Sequence, residues 1–569
     1  MMTSKVTRGI DTAQRVSPPT KEPPVHVLRL SGDFYEMGRQ HGAALAEEIK
    51  AGPIPYYRHM VQRLAGKSFG PLGGPLTTAL QRLVGSRVAK ALPDFARDTV
   101  HGIADGAGIS REEMMRGCTM PDSMLWAVAR MQQLEGRGPA VAHRFALGLG
   151  CTSAIAWGKA TKDGSLYHAR NFDYHGVDNW PKHAAVLFHA PKDGQRYVSV
   201  GAAGVGLGGI TAMNEAGLSL TVHQHMFTDR AKLGGTPIGV VGDIVMREAR
   251  TLEEAEAILA SHTPIGCWTY LVTCANSKRV LCHEEDPHRR APRIVGTDAS
   301  TFGYANIYLD EELGATELAS YGSYWRHNAR RHQRANELLR EQAGSLDAAG
   351  MAAILADTGD GPCRIAGSIA MVMTVGSVVF RPRDGAFWIG TGEAPTSRGT
   401  FVPFSLSKQG HAPELGELHP ATQGPTDVAF ERYRQAYVAY VDHGDVAGAR
   451  SAAEHAAVLA PSQATYHALA GLLSMELADA SAARRNFDAA LVVGHPEEER
   501  LSAFHLWRGR AHDLAGDREL ATKDYRACLG RKADAPVHAA AQKNLRRPYR
   551  AGSAKRIHVE MAFADVVSP

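Results

Sequence analysis

The chain changes its pattern abruptly near Gly148, and again at Pro425. Before the first switch the sequence has helical periodicity. From Phe34, the apolar or small positions Phe34, Met37, Gly38, His41, Gly42, Leu45 and Ile49 recur at three- and four-residue steps. That spacing places them on one helix face, and the bare Gly38 and Gly42 let another element approach closely. Further helices are expected at 76–106 and 111–134, followed by a Gly/Pro stretch at Gly136–Pro139.

After Gly148 the residues alternate as strands do. CTSAIAWG (151–158) reads as a strand, Lys162-Asp163-Gly164 as a turn, and LYHARNFD as the returning strand. The rhythm repeats through AAVLFHA, a turn at Lys192-Asp193-Gly194, RYVSVG, and a Met213–Gly217 turn into LSLTVHQH. A helical pattern returns at 237–261, where Thr251 precedes Glu254 as in a capping box. Strands are expected at 268–274, 278–284 and within 370–390, with a helix at 322–343. Antiparallel strands, then helix, then strands again make a layered α/β body with a mostly antiparallel sheet.

Past Pro425 the strand signals give way to a repeat. Ala449, Ala453 and Ala456 precede Pro461, and Ala483, Phe487 and Ala490 precede Pro496. A third copy is Ala521, Tyr525 and Cys528, with an insertion around PEEER before it, and Gly471 is echoed by Gly509. Small residues at fixed points let paired helices nest, so this stretch resembles tetratricopeptide repeats. An ordinary bundle of Ala-rich helices is the plainer alternative.

Composition narrows the function. With 63 Lys+Arg against 59 Asp+Glu, the net charge is only +4, no footprint for nucleic acid or an anionic membrane. Hydrophobic residues at 44% and charged residues at 21% exclude a mostly disordered chain. Seven scattered cysteines (118, 151, 267, 274, 282, 363 and 528) argue against a disulfide framework and for a reducing compartment. No apolar run is long enough to span a membrane. The polar start, ending at Pro23-Pro24, lacks the apolar core of a secretion signal, so the expected location is cytoplasmic.

Cys151 is the leading candidate for chemistry. It follows Gly150 and opens a strand at the helix-to-strand switch, and the returning strand carries Arg170, Asn171 and Asp173. Alternation puts Asn171 and Asp173 on one face and Arg170 on the other. If the hairpin folds back as its spacing suggests, a carboxylate and polar donors come beside the cysteine, and a guanidinium favours its thiolate.

These residues carry a resemblance. GCTSAIAWGKATKDGSLYHARNFDY resembles the nucleophile hairpin of the acyl-coenzyme A:isopenicillin N acyltransferase-like cysteine hydrolases, within the N-terminal-nucleophile hydrolase superfamily. LSGDFYEMGRQHGAALAEEI, AMNEAGLSLTVHQH, FGYANIYL, SYGSYWRHNARRHQRANELL and MTVGSVVFRPRDGAFWIGTG resemble further family segments in the same order, covering about 27–404. The resemblance implies a four-layer αββα sandwich and cleavage between Gly150 and Cys151. Cys151 would then be the nucleophile, with its freed α-amine as base. It also implies that Asp173 holds that amine, that Arg170 stands near the nucleophile, and that Asn306 supplies an oxyanion donor. Two positions depart from the family: Ile307 replaces the usual His, and Gln224, on the strand of a second family asparagine, is a candidate substitute donor. Asn171 is a further candidate for oxyanion or substrate contact.

Other constellations are weaker. His223, His225, Cys267, Cys274, Cys282 and His283 lack the close pairs of zinc sites, so neither metal nor cofactor is expected. Gly201–Gly209 lacks the Gly-Lys-Ser/Thr of a phosphate loop, and HEEDPHRR (283–290) reads as a solvated turn. WRHNARRHQR (325–334) reads as the polar side of a helix, with one arginine in reach of the active site if the substrate is acidic. The expected division is a flexible arm 1–24, a helical precursor segment 25–150, a catalytic body 151–410, a linker 411–428, helical repeats 429–545 and a tail 546–569. The expected activity is a self-processing cysteine amidohydrolase or acyltransferase acting on a small-molecule amide or acyl-CoA-like thioester. Its repeats would bind a protein partner or a second copy. The alternatives are an inactive adaptor built on the repeats and a papain-like peptidase with a histidine base.

Overall fold

A computed structural model describes residues 25–135, 150–296, 299–318, 322–359, 367–420, 424–554, 556–566 and 569. The expected arm at 1–24, the Gly/Pro stretch at Gly136–Pro139 and Cys363 lie outside them.

The N-terminal segment starts with a strand, β1 (His26–Gly32), where the sequence suggested mainly helix. Six helices follow: α1 (Phe34–Ala44), α2 (Ala46–Ala51), α3 (Pro53–Phe69), α4 (Gly73–Lys90), α5 (Asp94–Ala107) and α6 (Arg111–Glu135). The helix expected over 76–106 is two, because Pro93 breaks the hydrogen-bond ladder between α4 and α5. Gly38 and Gly42 do allow close approach. A Cβ on either would strike the backbone carbonyl of Thr99 or Ile103 on α5, and Gly102 and Gly106 answer them from the α5 side.

The body continues with β2 (Gly150–Ala156), β3 (Tyr167–Asp173), β4 (Ala184–Pro191), β5 (Tyr197–Ala202), β6 (Thr211–Asn214) and β7 (Leu218–Gln224). Then come α7 (Val240–Glu248), α8 (Leu252–Ala260), β8 (Trp268–Cys274), β9 (Arg279–Glu285), β10 (Arg290–Val295) and β11 (Thr301–Ala305). The last part holds α9 (Glu311–Gly314), α10 (Gly322–Glu341), α11 (Ala348–Leu355), β12 (Thr374–Arg381), β13 (Ala386–Gly390), β14 (Phe401–Ser405) and β15 (Gly410–His411). One sheet has the order β1-β4-β5-β6-β7-β8-β9-β10 and the other β11-β2-β3-β12-β13-β14-β15. They stack face to face: Ser153 of β2 meets Thr221 of β7, and His168 of β3 meets Ser219. Helices α1, α7 and α8 cover the outer face of the first sheet, and α10 and α11 that of the second. The result is the four-layer αββα sandwich. β1 runs parallel to β4 and completes the first sheet, so the segment before Cys151 is built into the body.

The C-terminal helices are α12 (Pro425–Tyr437), α13 (Val446–Leu459), α14 (Ala464–Glu476), α15 (Ala480–Val493), α16 (Glu498–Leu514), α17 (Arg518–Leu529) and α18 (Ala535–Arg546). Each packs on its successor. The repeated glycines have a physical reason: a Cβ on Gly471 would lie 2.8 Å from the Phe487 ring, and one on Gly509 2.7 Å from Tyr525. Residues 551–554 and 556–566, expected as part of a tail, form α19 (Ala551–Ala554) and a hairpin of β16 (Val559–Glu560) and β17 (Asp565–Val566). Its Met561 and Phe563 are buried. Arg500 of α16 donates to the carbonyl of Phe563, and Tyr433 of α12 to that of Met561. The helical region grips α10 directly: Arg326 pairs with Asp534 at 2.8 Å and Glu497 at 2.9 Å, and Arg330 pairs with Glu497 at 2.6 Å.

Candidate active site

β2 and β3 form the hairpin that the Asp-Gly turn implies. Cys151 lies opposite Phe172 and Gly150 opposite Asp173. Alternation along β2 turns Cys151 and Ser153 toward the first sheet and Thr152 toward α10. Arg170, on the matching face of β3, donates from Nη2 to the Cys151 Sγ at 3.2 Å. The same guanidinium is fixed by the carbonyls of Val222 (2.9 Å) and Ile210 (3.1 Å) and lies over the Phe172 ring.

Asn306 follows β11, the strand beside β2. Its Oδ1 accepts the Cys151 backbone N–H at 2.6 Å and Arg331 Nη2 at 3.2 Å, and its Nδ2 donates to the Gln224 carbonyl at 2.8 Å. Two donors on the oxygen fix the amide orientation. Asn306 therefore holds the nitrogen of the Gly150–Cys151 peptide bond, and its donor is engaged by backbone. Gln224 meets the site through its carbonyl and lines the cavity beside Cys151.

Asp173 is fully buried; its Oδ1 accepts from Thr374 Oγ1 at 2.6 Å, and its Oδ2 lies 3.5 Å from Arg331 Nη1. Asn171 turns away: its Nδ2 donates to the carbonyls of Leu355 and Ile369, and its Oδ1 accepts from Ser377. That buttresses α11 rather than facing substrate. The structure thus gathers Cys151, Arg170, Asp173, Asn306 and Gln224 and leaves Asn171 behind the sheet.

Arg331 is the arginine of the 325–334 run that reaches the site, and it does so as a structural donor to the chain itself. Far from an exposed polar face, it is fully buried and donates to the Cys151 carbonyl (2.9 Å), Thr152 Oγ1 (2.7 Å) and Asn328 Oδ1 (2.7 Å), besides Asn306. The signal was its phase: Tyr324, Asn328, Arg331, Ala335 and Leu338 recur at helical steps and form the buried face of α10.

Burial dominates the electrostatics. It pushes the Cys151 thiol above its ordinary value, and the Arg170 guanidinium pulls the other way. It also raises the Asp173 carboxyl against the pull of Arg331 and Thr374, and lowers Arg331 itself. The nearby imidazoles are held neutral by burial, His168 down to about 3 and His223 well below the usual range. Both bond to hydroxyls between the sheets, His223 to Ser153 and His168 to Ser219 and Thr221.

Cys151 opens into a cavity of about 160 Å³. Ile54 and Tyr57 of α3, Met114 of α6, Phe172, Ile210 and Trp268 supply apolar wall. The segment before the cysteine therefore shapes the pocket that the cysteine serves. Such a surface suits an uncharged apolar group at the thiol.

Residues 159–394 match the family model of the acyl-coenzyme A:6-aminopenicillanic acid acyl-transferases. The match begins after Cys151 and includes Arg170, Asp173, Asn306 and Arg331. An uncharacterized protein of Archaeoglobus fulgidus is 27% identical over 195 residues, which span 34% of this chain and 32% of that protein. The chain thus matches about a third of that relative's length. Among solved structures, a Caenorhabditis elegans N-acylethanolamine-hydrolyzing acid amidase ortholog overlaps 41% of this chain and 93% of its own, at 16% identity and TM-score 0.30. The N-terminal domain of stress-induced protein-1 from C. elegans overlaps 21% of this chain and 98% of its own, at 18% identity and TM-score 0.20. The family match covers residues 159–394, less than half of the chain, so the likeness to the acyl-coenzyme A:6-aminopenicillanic acid acyl-transferases is one of the β-rich body.

Proposed function

We propose that this protein is a self-processing cysteine amidohydrolase or acyltransferase that forms a Cys151 acyl-enzyme with an apolar acyl group. The observation that carries the reading is the geometry at Cys151: its nitrogen is held by Asn306, its sulfur by Arg170, and its thiol borders an apolar cavity. In processing, the Cys151 sulfur attacks the Gly150 carbonyl; the C–N bond breaks, a C–S bond forms, and the thiol proton ends on the departing nitrogen. Water hydrolyses the thioester, leaving Gly150 with a carboxylate and Cys151 with a free α-amine. That amine has an ordinary pKa near 8, so it can take the thiol proton in the mature enzyme. The thiolate then attacks an amide or thioester carbonyl, the leaving group takes the proton, and water or an amine accepts the acyl group from sulfur. Arg170 steadies the thiolate, Asn306 retains the amine, and Asp173 with Arg331 fixes the strand ends around it.

Intact-protein mass spectrometry tests this reading. The wild type should appear as two pieces, the larger running from Cys151 to Pro569 and beginning CTSAIAWG. Cys151→Ala should remain one chain and turn over no amide. An uncut wild type in which another cysteine is alkylated first sinks the mechanism. Cleavage without turnover of any acyl amide would favour the adaptor reading, in which the tetratricopeptide-like helices do the binding.

A further inference from the structure

Helix α4 is built inside out over its first three turns. Leu76, Leu80 and Leu83, with Leu72 just before the helix and Pro75 and Ala79 between them, are exposed, while Thr77 and Gln81 face inward. Leu72 is 72% exposed, Leu76 50% and Leu83 69%. The spacing of 72, 76, 80 and 83 makes these one continuous stripe. Single exposed leucines are ordinary; an outward stripe backed by inward polar residues marks a face that meets something apolar. The inward face is satisfied locally: Thr77 Oγ1 donates to the Gly73 carbonyl, and Gln81 contacts the Met120 sulfur.

Charge identifies the occupant. From Pro53 to Pro93 the chain carries Arg58, Arg63, Lys67, Arg82, Arg87 and Lys90 and no Asp or Glu, although the whole protein is nearly neutral. Arg58 is paired with Glu113, and Arg63 donates to the carbonyls of Val441 and Asp442. Arg82, Arg87 and Lys90 are exposed beside or beyond the leucines. An apolar stripe rimmed by cations matches the boundary between acyl chains and anionic headgroups. The same hairpin reaches the cavity, since α3 packs on α4 and supplies Ile54 and Tyr57 to the wall around Cys151.

We propose that the α3–α4 hairpin docks the protein on an anionic lipid bilayer, with Leu72, Leu76, Leu80 and Leu83 entering the acyl boundary and Arg82, Arg87 and Lys90 meeting lipid headgroups. A modest net charge conceals this local asymmetry. The proposal does not depend on the acyltransferase reading, because binding is measured without turnover. Full-length protein is sedimented with vesicles of phosphatidylcholine alone or mixed with phosphatidylglycerol, at low and high salt. The wild type should bind the mixed vesicles more tightly, and salt should weaken that preference. Leu76→Ser/Leu80→Ser/Leu83→Ser should reduce binding more than about tenfold without lowering the melting temperature, because the side chains are exposed. Arg82→Gln/Arg87→Gln/Lys90→Gln should abolish the preference for phosphatidylglycerol while leaving the apolar stripe intact. Equal sedimentation of wild type and both variants overturns the proposal. So does a concentration-dependent dimer, seen by light scattering, that the leucine variant abolishes; that result would assign the stripe to a second copy.

Discussion

Asn306 Oδ1 accepts the backbone N–H of Cys151 at 2.6 Å, which ties the cysteine nitrogen to a residue just after β11, 155 positions further on. Asn306→Ala would leave that buried N–H without its acceptor, a cost of about 1–3 kcal/mol in stability. Processing should slow about tenfold or more, since each ~1.4 kcal/mol of lost positioning is a factor of ten in rate. Asn306→Asp retains the acceptor but loses the donor to the Gln224 carbonyl, so its single-turnover rate separates the two contributions. An alanine variant that processes at the wild-type rate removes Asn306 from the mechanism.

Arg331 and Asp173 are both fully buried, 3.5 Å apart. Arg331→Met strands the carboxylate and should destabilise the fold by about 3–5 kcal/mol. Adding Asp173→Asn removes the stranded charge and should recover much of that loss in a denaturant titration. It should not restore processing, because the donors to the Cys151 carbonyl and Asn306 stay absent. Recovery of both would make the pair purely structural.

Arg170 is the cation at the thiol. Removing it as Arg170→Met takes away the group that favours thiolate, so the Cys151 pKa should rise further. The pH of half-maximal alkylation of Cys151 should move upward by about one unit or more. An unchanged profile would show that Arg170 only braces the sheets.

Asp122, next to Pro121 of the cavity wall, is buried with Oδ1 unpartnered and Oδ2 accepting the Ile238 N–H at 3.0 Å. Burial pushes its carboxyl up to about 7. A folded-state value above the unfolded one favours the protonated form. Its stabilisation is therefore complete below about pH 4 and is lost as pH rises through about 7. Asp122→Asn keeps an acceptor and removes the titration, so it should melt higher than wild type above pH 7 and similarly near pH 4. The difference should approach about 4 kcal/mol at alkaline pH. Parallel melting curves for both proteins from pH 4 to 8 would show that Asp122 is not neutralised by folding.

The strands were legible where side chains alternate between faces and Asp-Gly turns separate them, as from Cys151 to Asp173. Gly471 and Gly509 were legible because a repeat in space requires a repeat in sequence, and each meets an aromatic ring of the following helix. β1 was not, because HVLRLSG becomes a strand by pairing with β4, more than 150 residues away. Asn171 was placed on the correct strand face, but its partners Leu355, Ile369 and Ser377 come from distant elements.

By itself the sequence determined the hairpin that presents Cys151, the order of helical, β-rich and helical segments, and the polar residues available near Cys151. These follow from local periodicity, turn chemistry and chain order. Only the tertiary structure decided that Arg331 faces Cys151, that Asn306 spends its oxygen on the cysteine nitrogen, and that the first helices wall the cavity. It also decided that α4 wears its leucines outward. The physical reason is that burial and pairing belong to contacts between elements: an arginine on a polar-looking helix becomes a buried ligand of the site once α10 packs on β2.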